Sequence, residues 1–135
     1  MTNCAVTGRN LEMSTISFED SAANIGFYTE NNLTNTQFDF EEGHFSATGD
    51  AGAFTIVAAD KTHFVGSNIA VRDAKISLRT TNDDASALLI GRISHIIDTN
   101  VTFANNDITV NVQRATALMA VNPQAFLTNA NVVFM

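Results

Sequence analysis

Proline, cysteine and positive charge are scarce in this sequence. Its 135 residues include one Pro, one Cys and no Trp, and seven Lys and Arg stand against fourteen Asp and Glu. A net charge of −7 leaves no basic footprint, which excludes nucleic acid and anionic membrane surfaces as partners. No apolar run is long enough to span a bilayer, and no signal-peptide pattern opens the chain, so membrane insertion is not expected. The lone Cys4 has no partner for an internal disulfide and reads as a small buried hydrophobe at an inward strand position. No segment sustains a helical apolar period; residues 115–121 come nearest, and their place in the repeat described next argues strand. Phosphate loops, catalytic triads, zinc clusters and calcium loops are all missing.

What is present is asparagine and repetition. Fifteen Asn residues favour turns with left-handed backbone over helix interiors. The stretch Asn68–Leu78, NIAVRDAKISL, reads as a strand with Ile69 and Val71 inward, a four-residue corner, and a second strand with Ile76 and Leu78 inward. It recurs as Asn3–Met13, Gln37–Ala47 and Asn100–Val110, and begins again at Asn131. The first apolar positions are Cys4, Phe38, Ile69, Val101 and Val132, so the spacing is nearly constant and widest at the first step. Register runs backwards without a gap through Leu33, Phe64, Ile96 and Leu127, and through Ile25, Ile56, Leu88 and Met119, which lie on a third strand. Length varies in one place, between the second and third strands, and Pro123 falls in the connection after the third.

Fixed strands with one variable loop are what stacked coils require. The sequence therefore predicts an all-β, right-handed parallel β-helix of about four coils, three strands per coil and 31–34 residues per coil. The coils are placed at 3–36, 37–67, 68–99 and 100–130 of a single domain, with a fifth starting at 131–135. The competing antiparallel sandwich would not give gapless register.

Polar residues stack too. Asn3, Gln37, Asn68, Asn100 and Asn131 precede the first strands, and a ladder of amide hydrogen bonds between coils is expected there, against the alternative of ordinary turn chemistry. Vertical neighbours at the corners pair Glu41 with Arg72 and Lys75 with Asp107, while Glu42 over Asp73 is a like pair. On the first and second strands the outward residues are small and polar. On the third, Val57, Ala87, Leu89, Leu118 and Ala120 make an outer face that is apolar as well. Residues 14–22 are expected to fold over it in the first coil, and a partner surface to cover it later.

Candidate sites are few. His63 and His95 occupy equivalent places in adjacent coils, about 5 Å apart by sheet spacing. No third ligand recurs, since the flanking coils offer Asn32 and Phe126, so a polar stack at the loop edge is expected and no metal. Asp83 and Asp84 form an acidic pair of the kind that serves as acid and base in β-helix carbohydrate-cleaving enzymes. The paired-Asp, His-Gly and Arg-x-Lys strings of those enzymes are missing; Arg92-Ile93-Ser94-His95 is only an echo, and four coils rise only about 20 Å. No catalytic residue, cofactor or metal is expected.

The repeat resembles those of secreted β-helix proteins: autotransporter passengers, filamentous-haemagglutinin-type adhesins and polymorphic outer-membrane proteins. Phe103-Ala104-Asn105-Asn106 matches the Phe-x-x-Asn element of the last group, and Ala51-Gly52-Ala53-Phe54 loosely matches its small-residue element. The resemblance implies a non-enzymatic, rigid scaffold and binding face on a cell or virion surface, with a glycan or host-surface protein as partner. A second resemblance, in logic, is to cap-less β-helices that polymerise in the cytoplasm, such as bactofilins. It implies a self-assembling filament subunit. The ends favour end-to-end contact with other copies or with flanking coils of a longer parent. Val133 and Phe134 stand in the register of a fifth coil, with no capping helix or charge cluster to blunt the edge.

Overall fold

A computed structural model describes residues 1–135 except 18–20, 28–29, 59–60, 82–83, 93 and 113–115, together with the side chains of 84, 116 and 117. The described residues form strands and turns only. Coil 1 carries β1 (Ala5–Arg9), β2 (Glu12–Ile16), β3 (Ser21–Phe27) and β4 (Asn32–Thr34). Coil 2 carries β5 (Gln37–Glu41), β6 (His44–Gly49), β7 (Gly52–Ala58) and β8 (His63–Val65). Coil 3 carries β9 (Asn68–Arg72), β10 (Lys75–Thr80), β11 (Asp84–Ile90) and β12 (His95–Ile97). Coil 4 carries β13 (Asn100–Ala104), β14 (Asp107–Asn111), β15 (Thr116–Val121) and β16 (Phe126–Thr128), and β17 (Asn131–Phe134) starts a fifth.

Every pairing is parallel and joins one coil to the next. The sheets run β1-β5-β9-β13-β17, β2-β6-β10-β14, β3-β7-β11-β15 and β4-β8-β12-β16. This is a β-solenoid of about four turns. Each coil has four strands rather than the expected three. The fourth is the three-residue strand centred on Leu33, Phe64, Ile96 or Leu127, which points one apolar side chain inward between two more exposed neighbours.

Coils 2 to 4 keep the expected register, with Phe38 on Ile69, Ile69 on Val101 and Val101 on Val132. Coil 1 does not. Val6, not Cys4, stacks on Phe38, and Met13 stacks on Phe45 rather than Ala47. The first step is thereby shortened to match the others. Cys4 lies ahead of β1, exposed, with its thiol 3.4 Å from the Thr2 carbonyl. Residues 14–16 belong to β2 and 21–22 to β3, so these do not fold over the third sheet as expected, and residues 18–20 of that stretch lie outside the described residues.

The corners explain the asparagines. One column of left-handed residues holds Asn3, Asn35, Gly66, Asp98 and Asn129, with φ from 48° to 60°. A second holds Asn10, Glu42, Asp73 and Asn105, with φ of 52° or 53°. Gly and Asn enter this region at least cost, and Asp is next. Amide bonds between coils occur in these columns: Asn105 Nδ2 donates to Asp73 Oδ1 at 3.3 Å, and Asn129 Nδ2 to Asp98 Oδ1 at 3.0 Å. Gln37, Asn68, Asn100 and Asn131 do stack in register, but Asn3 is two residues off and its place is taken by Ala5. The hydrogen-bonded ladder expected there sits one residue earlier instead, and it is built of hydroxyls. Thr36 Oγ1 and Ser67 Oγ are 3.0 Å apart, the Thr36 amide donates to Ser67 Oγ at 3.2 Å, and the Ser67 amide donates to Thr99 Oγ1 at 3.2 Å. All three residues are buried.

Inside, columns of apolar side chains fill the lumen: Phe45, Ile76 and Leu78 from the second sheet, Ile56, Leu88 and Ile90 from the third, Phe64 and Ile96 from the fourth, and Ile69, Val71, Val101 and Phe103 from the first. Aromatic rings meet edge to face where coils 1 and 2 join, Phe27 with Phe38 at 5.0 Å and with Phe64 at 5.1 Å.

Candidate functional site

The third sheet departs from simple alternation. Its pairings run Ser21–Ala23 and Ile25–Phe27 onto β7 and skip the residue between, and the same skip recurs from β7 to β11 and from β11 to β15. The skipped column is Asn24, Thr55, Ala87 and Leu118. These residues turn inward. Asn24 Nδ2 donates to the carbonyls of Ser46 at 2.8 Å and Met13 at 3.3 Å on the neighbouring sheet, Thr55 is fully buried, and Ala87 belongs to the core cluster. Ala87 is thus not an outer-face residue. Leu118 continues the same inward column but is 50% exposed, because no coil covers it. The apolar outer column that remains is Gly26, Val57, Leu89 and Ala120, and in it Val57 is buried while Leu89 and Ala120 are half-buried.

The uncovered apolar surface lies at the two ends of the stack. At the far end Leu118 lines a hollow of about 320 Å³ with Phe103, Asn106, Ile108, Phe134 and Met135. Phe134 stacks face to face on Phe103, with centroids 5.0 Å apart and planes at 11°. Val133 beside it is register partner to the outward Thr102. Ile108, Val110, Met119 and Val132 are only half-buried there, and Leu127 is 41% exposed. At the near end Leu11, Met13, Ile25 and Phe27 are half-buried. Leu33 and the small Ala22 are fully covered. Thr2 bridges to Thr34, the Thr34 amide donates to the Met1 carbonyl at 3.0 Å, and the terminal ammonium donates to the Asn32 carbonyl at 2.7 Å. The structure therefore brings Leu118, Val133 and Phe134 together at one end. Val57, Leu89 and Ala120 lie on a side face, and Ala87 lies inside.

The polar surface is organised by the same register. Arg72 Nη2 reaches both carboxylate oxygens of Asp39 at 2.6 Å, rather than its Cα partner Glu41. Arg9 forks onto Glu42 at 2.8 and 3.1 Å, and this hydrogen bond and charge hold the Glu42 carboxyl below its ordinary range. The second sheet presents Ser14, Ser46, Ser77 and Thr109 in one outward column, a flat row of hydroxyls one strand spacing apart.

His63 and His95 are register partners with ring centroids 4.5 Å apart and nearly perpendicular planes, and Phe126 caps the pair 4.9 Å from His95. Desolvation, and then the neighbouring His95, push the pKa of His63 down. Among the described residues no group of three or more His, Cys, Asp or Glu is placed to hold a metal ion. Of the acidic pair, Asp83 and the Asp84 side chain lie outside the described residues. The buried hydroxyl column Thr36–Ser67–Thr99 and the inward Asn24 were not anticipated from sequence, although Thr, Ser and Thr recurring at the coil spacing was there to be read.

Fold and surface together define a repeat-built parallel β-solenoid. The chain matches no protein-family model, no curated protein and no solved structure.

Proposed function

We propose that this chain is a structural module, a rigid rod of uniform cross-section whose work is done by its faces rather than by a catalytic centre. The observation that carries this reading is the unbroken register of four parallel sheets, which repeats each outward side chain at one strand spacing along the rod. Such a surface suits an extended, repetitive partner. The Ser14–Ser46–Ser77–Thr109 row is the flat polar face offered to a glycan or a host-surface protein, in the setting of a cell-surface protein. Binding of the labelled chain to a glycan array and to intact cells tests it, beside a Ser46→Arg, Ser77→Arg variant of the same melting temperature. Binding lost in the variant supports the reading, and binding that is equal in both, or absent in both, removes the flat face from it.

A second reading, self-assembly, is favoured by a different observation. Both ends leave inward apolar side chains incompletely covered, half-buried at Met13, Ile25 and Met119 and exposed at Leu127. A slice of core and a row of strand edges together form a template for further stacking. Light scattering across a concentration series tests it. A strictly monomeric chain at high concentration rejects it.

A further inference from the structure

We propose that copies of this chain join head to tail by strand exchange, with β17 of one copy taking the place of β1 in the next. The inference rests on the self-assembly reading and adds its geometry. The starting point is a count: the sheet holding β1 and β17 has five strands, and the other three have four. If two intact copies met end on, β17 would touch β1 of the next copy. The other three sheets would then be left apart by one missing strand, a gap of about 4.8 Å more than pairing allows. Removing one strand from the five-stranded sheet at the junction closes all three gaps at once.

β1 is the strand to yield. Its residues are exposed or half-buried throughout. The side chains it sets over Phe38 and Phe40 are those of Val6, 40% exposed, and Gly8, which has none. Leu11 leans into the space that a side chain at Gly8 would fill. β17 carries Val132 and Phe134 at the matching places, since it stacks them on Val101 and Phe103 as β5 stacks Phe38 and Phe40 on Ile69 and Val71. Exchange therefore sets Val132 on the next copy's Phe38 and, once Leu11 swings aside, Phe134 on Phe40. The rest of the junction follows in register: Ile108 on Met13, Met119 on Ile25, Val121 on Phe27, and Leu127 on the Leu33 that Met1 and Thr2 uncover as they leave. The left-handed columns also continue, with Asn10 following Asn105 and Asn35 following Asn129.

One contact opposes the union. Asp107, register partner of Lys75 on one side, would have Glu12 of the next copy on the other, and each copy carries −7. Salt screens this repulsion, so assembly is expected to rise with ionic strength. Because the contact is head to tail, it leaves a free end after each addition and yields open chains rather than a closed dimer.

Cysteine pairs read the register directly, in a Cys4→Ser background under mild oxidation at high salt. Strand exchange sets Val133 beside Asp39 of the next copy, whereas an end-on contact that keeps β1 sets it beside Thr7. A disulfide tolerates Cα separations of about 4.4–6.8 Å, which neighbouring strands meet and strands two apart do not. Within one copy these residues are three or four strands apart. Val133→Cys with Asp39→Cys is expected to give dimers and longer oligomers on a non-reducing gel, and Val133→Cys with Thr7→Cys none. A second pair, Thr109→Cys with Ser14→Cys, leaves the exchanged strand untouched and is expected to cross-link as well. Cross-linking through Thr7 but not Asp39 or Ser14 overturns strand exchange and keeps end-to-end assembly. Monomer from all three pairs overturns both.

Discussion

Leu33 and Leu127 occupy the same column of the same sheet, at opposite ends of the solenoid, and they are 3% and 41% exposed. Between them Phe64 and Ile96 are fully buried. The same contrast runs through the columns of larger side chains. Phe45, Ile76, Val71 and Ile90 in coils 2 and 3 are out of contact with water, while Met13, Ile108, Val132 and Met119 in coils 1, 4 and 5 are half-covered. The side chains are of one kind, so the difference lies in having a coil on both sides or on one. Leu33 shows how little cover is needed, since a two-residue bridge supplies it. In a solenoid, burial is a property of position along the axis, and an interior coil gains from two interfaces what an end coil gains from one.

The largest expected break of that contrast is an Asp at equivalent sites. Ile69 is an inward residue of coil 3, 3% exposed, and Val132 lies two coils further along the same column. An unpaired carboxylate at Ile69 costs several kcal/mol against a total of about 5–15. Ile69→Asp is therefore expected to unfold the chain in a circular dichroism melt, and Val132→Asp to lower the melting temperature by only a few degrees. Equal losses would mean that the end coil is as well packed as the middle.

Close backbone approach gives the next effect. A Cβ on Gly49, the last residue of β6, would run into the carbonyl oxygen of Gly52 and come within 2.9 Å of the Ala22 nitrogen. Both are backbone atoms and cannot turn aside. Gly49→Val is expected to cost about 3 kcal/mol, within the range seen when a core is overpacked. A denaturant midpoint unchanged from the parent would show that the β6–β7 turn has room to open.

How far the sequence could carry the reading depends on what a shift does to the pattern. In coil 1 the sequence places Cys4 where Val6 stands. A slip of two residues leaves every side chain on its own face, so alternation carries no signal against it; only a slip of one would reverse inside and outside. Asn3 added to the error, because an Asn suits a left-handed corner as well as the start of a strand, and here it makes the corner. Ala87 was misplaced for the opposite reason. Period 2 carried through the third strand sets it outward, but pairing skips that column and the alternation restarts on the far side of it. The fourth strand is three residues long and shows no period at all. Interior columns such as Phe38–Ile69–Val101 and Ile56–Leu88 were legible because their apolar residues recur without a competing register. At the ends, Val133 and Phe134 were legible as an edge, but the count of five strands against four, which governs how two edges meet, needed the structure.

The buried hydroxyl column sharpens the comparison at a smaller scale. Ser67 in the middle accepts the Thr36 amide and exchanges a hydrogen bond with the Thr36 hydroxyl. Its own hydroxyl also lies 3.2 Å from the Leu33 and Val65 carbonyls. Ser67→Ala strands the buried Thr36 amide and is expected to cost about 1–3 kcal/mol. Ala130, one coil beyond Thr99, lies at the end of the same column, and Ala130→Ser is expected to change stability by less than about 0.5 kcal/mol. Urea midpoints of the two variants measure the difference, and a cost below that limit at Ser67 would mean that water replaces the lost hydroxyl.

The smallest effect expected is a dependence on pH, and it too sets middle against end. His63 has a neighbour on each side, Asn32 and His95, while His95 meets Phe126 of the last complete coil. Burial, and then the nearness of His95, lower the pKa of His63 in the folded chain. In the unfolded chain it returns to about 6.5, so below that pH the unfolded state binds more protons than the folded state. Stability from the neutral ring is complete above the unfolded pKa and is lost as pH falls through the folded one. Glu42 and Glu30, held low by Arg9 and Lys61, act in the same direction but only below the ordinary carboxylate range. Melting temperatures between pH 7.5 and 5.5 therefore lie above the carboxylate range and report on His63. A modest fall is expected in the parent, because His63 is half-buried and solvent screens its charge. His63→Asn repeats the residue already present one coil back at Asn32, and is expected to flatten most of the fall. His95→Phe repeats the residue one coil on, leaves burial as the main cause, and is expected to flatten less of it. A flattening from His95→Phe as large as that from His63→Asn would put the neighbouring ring ahead of burial as the cause of the His63 shift.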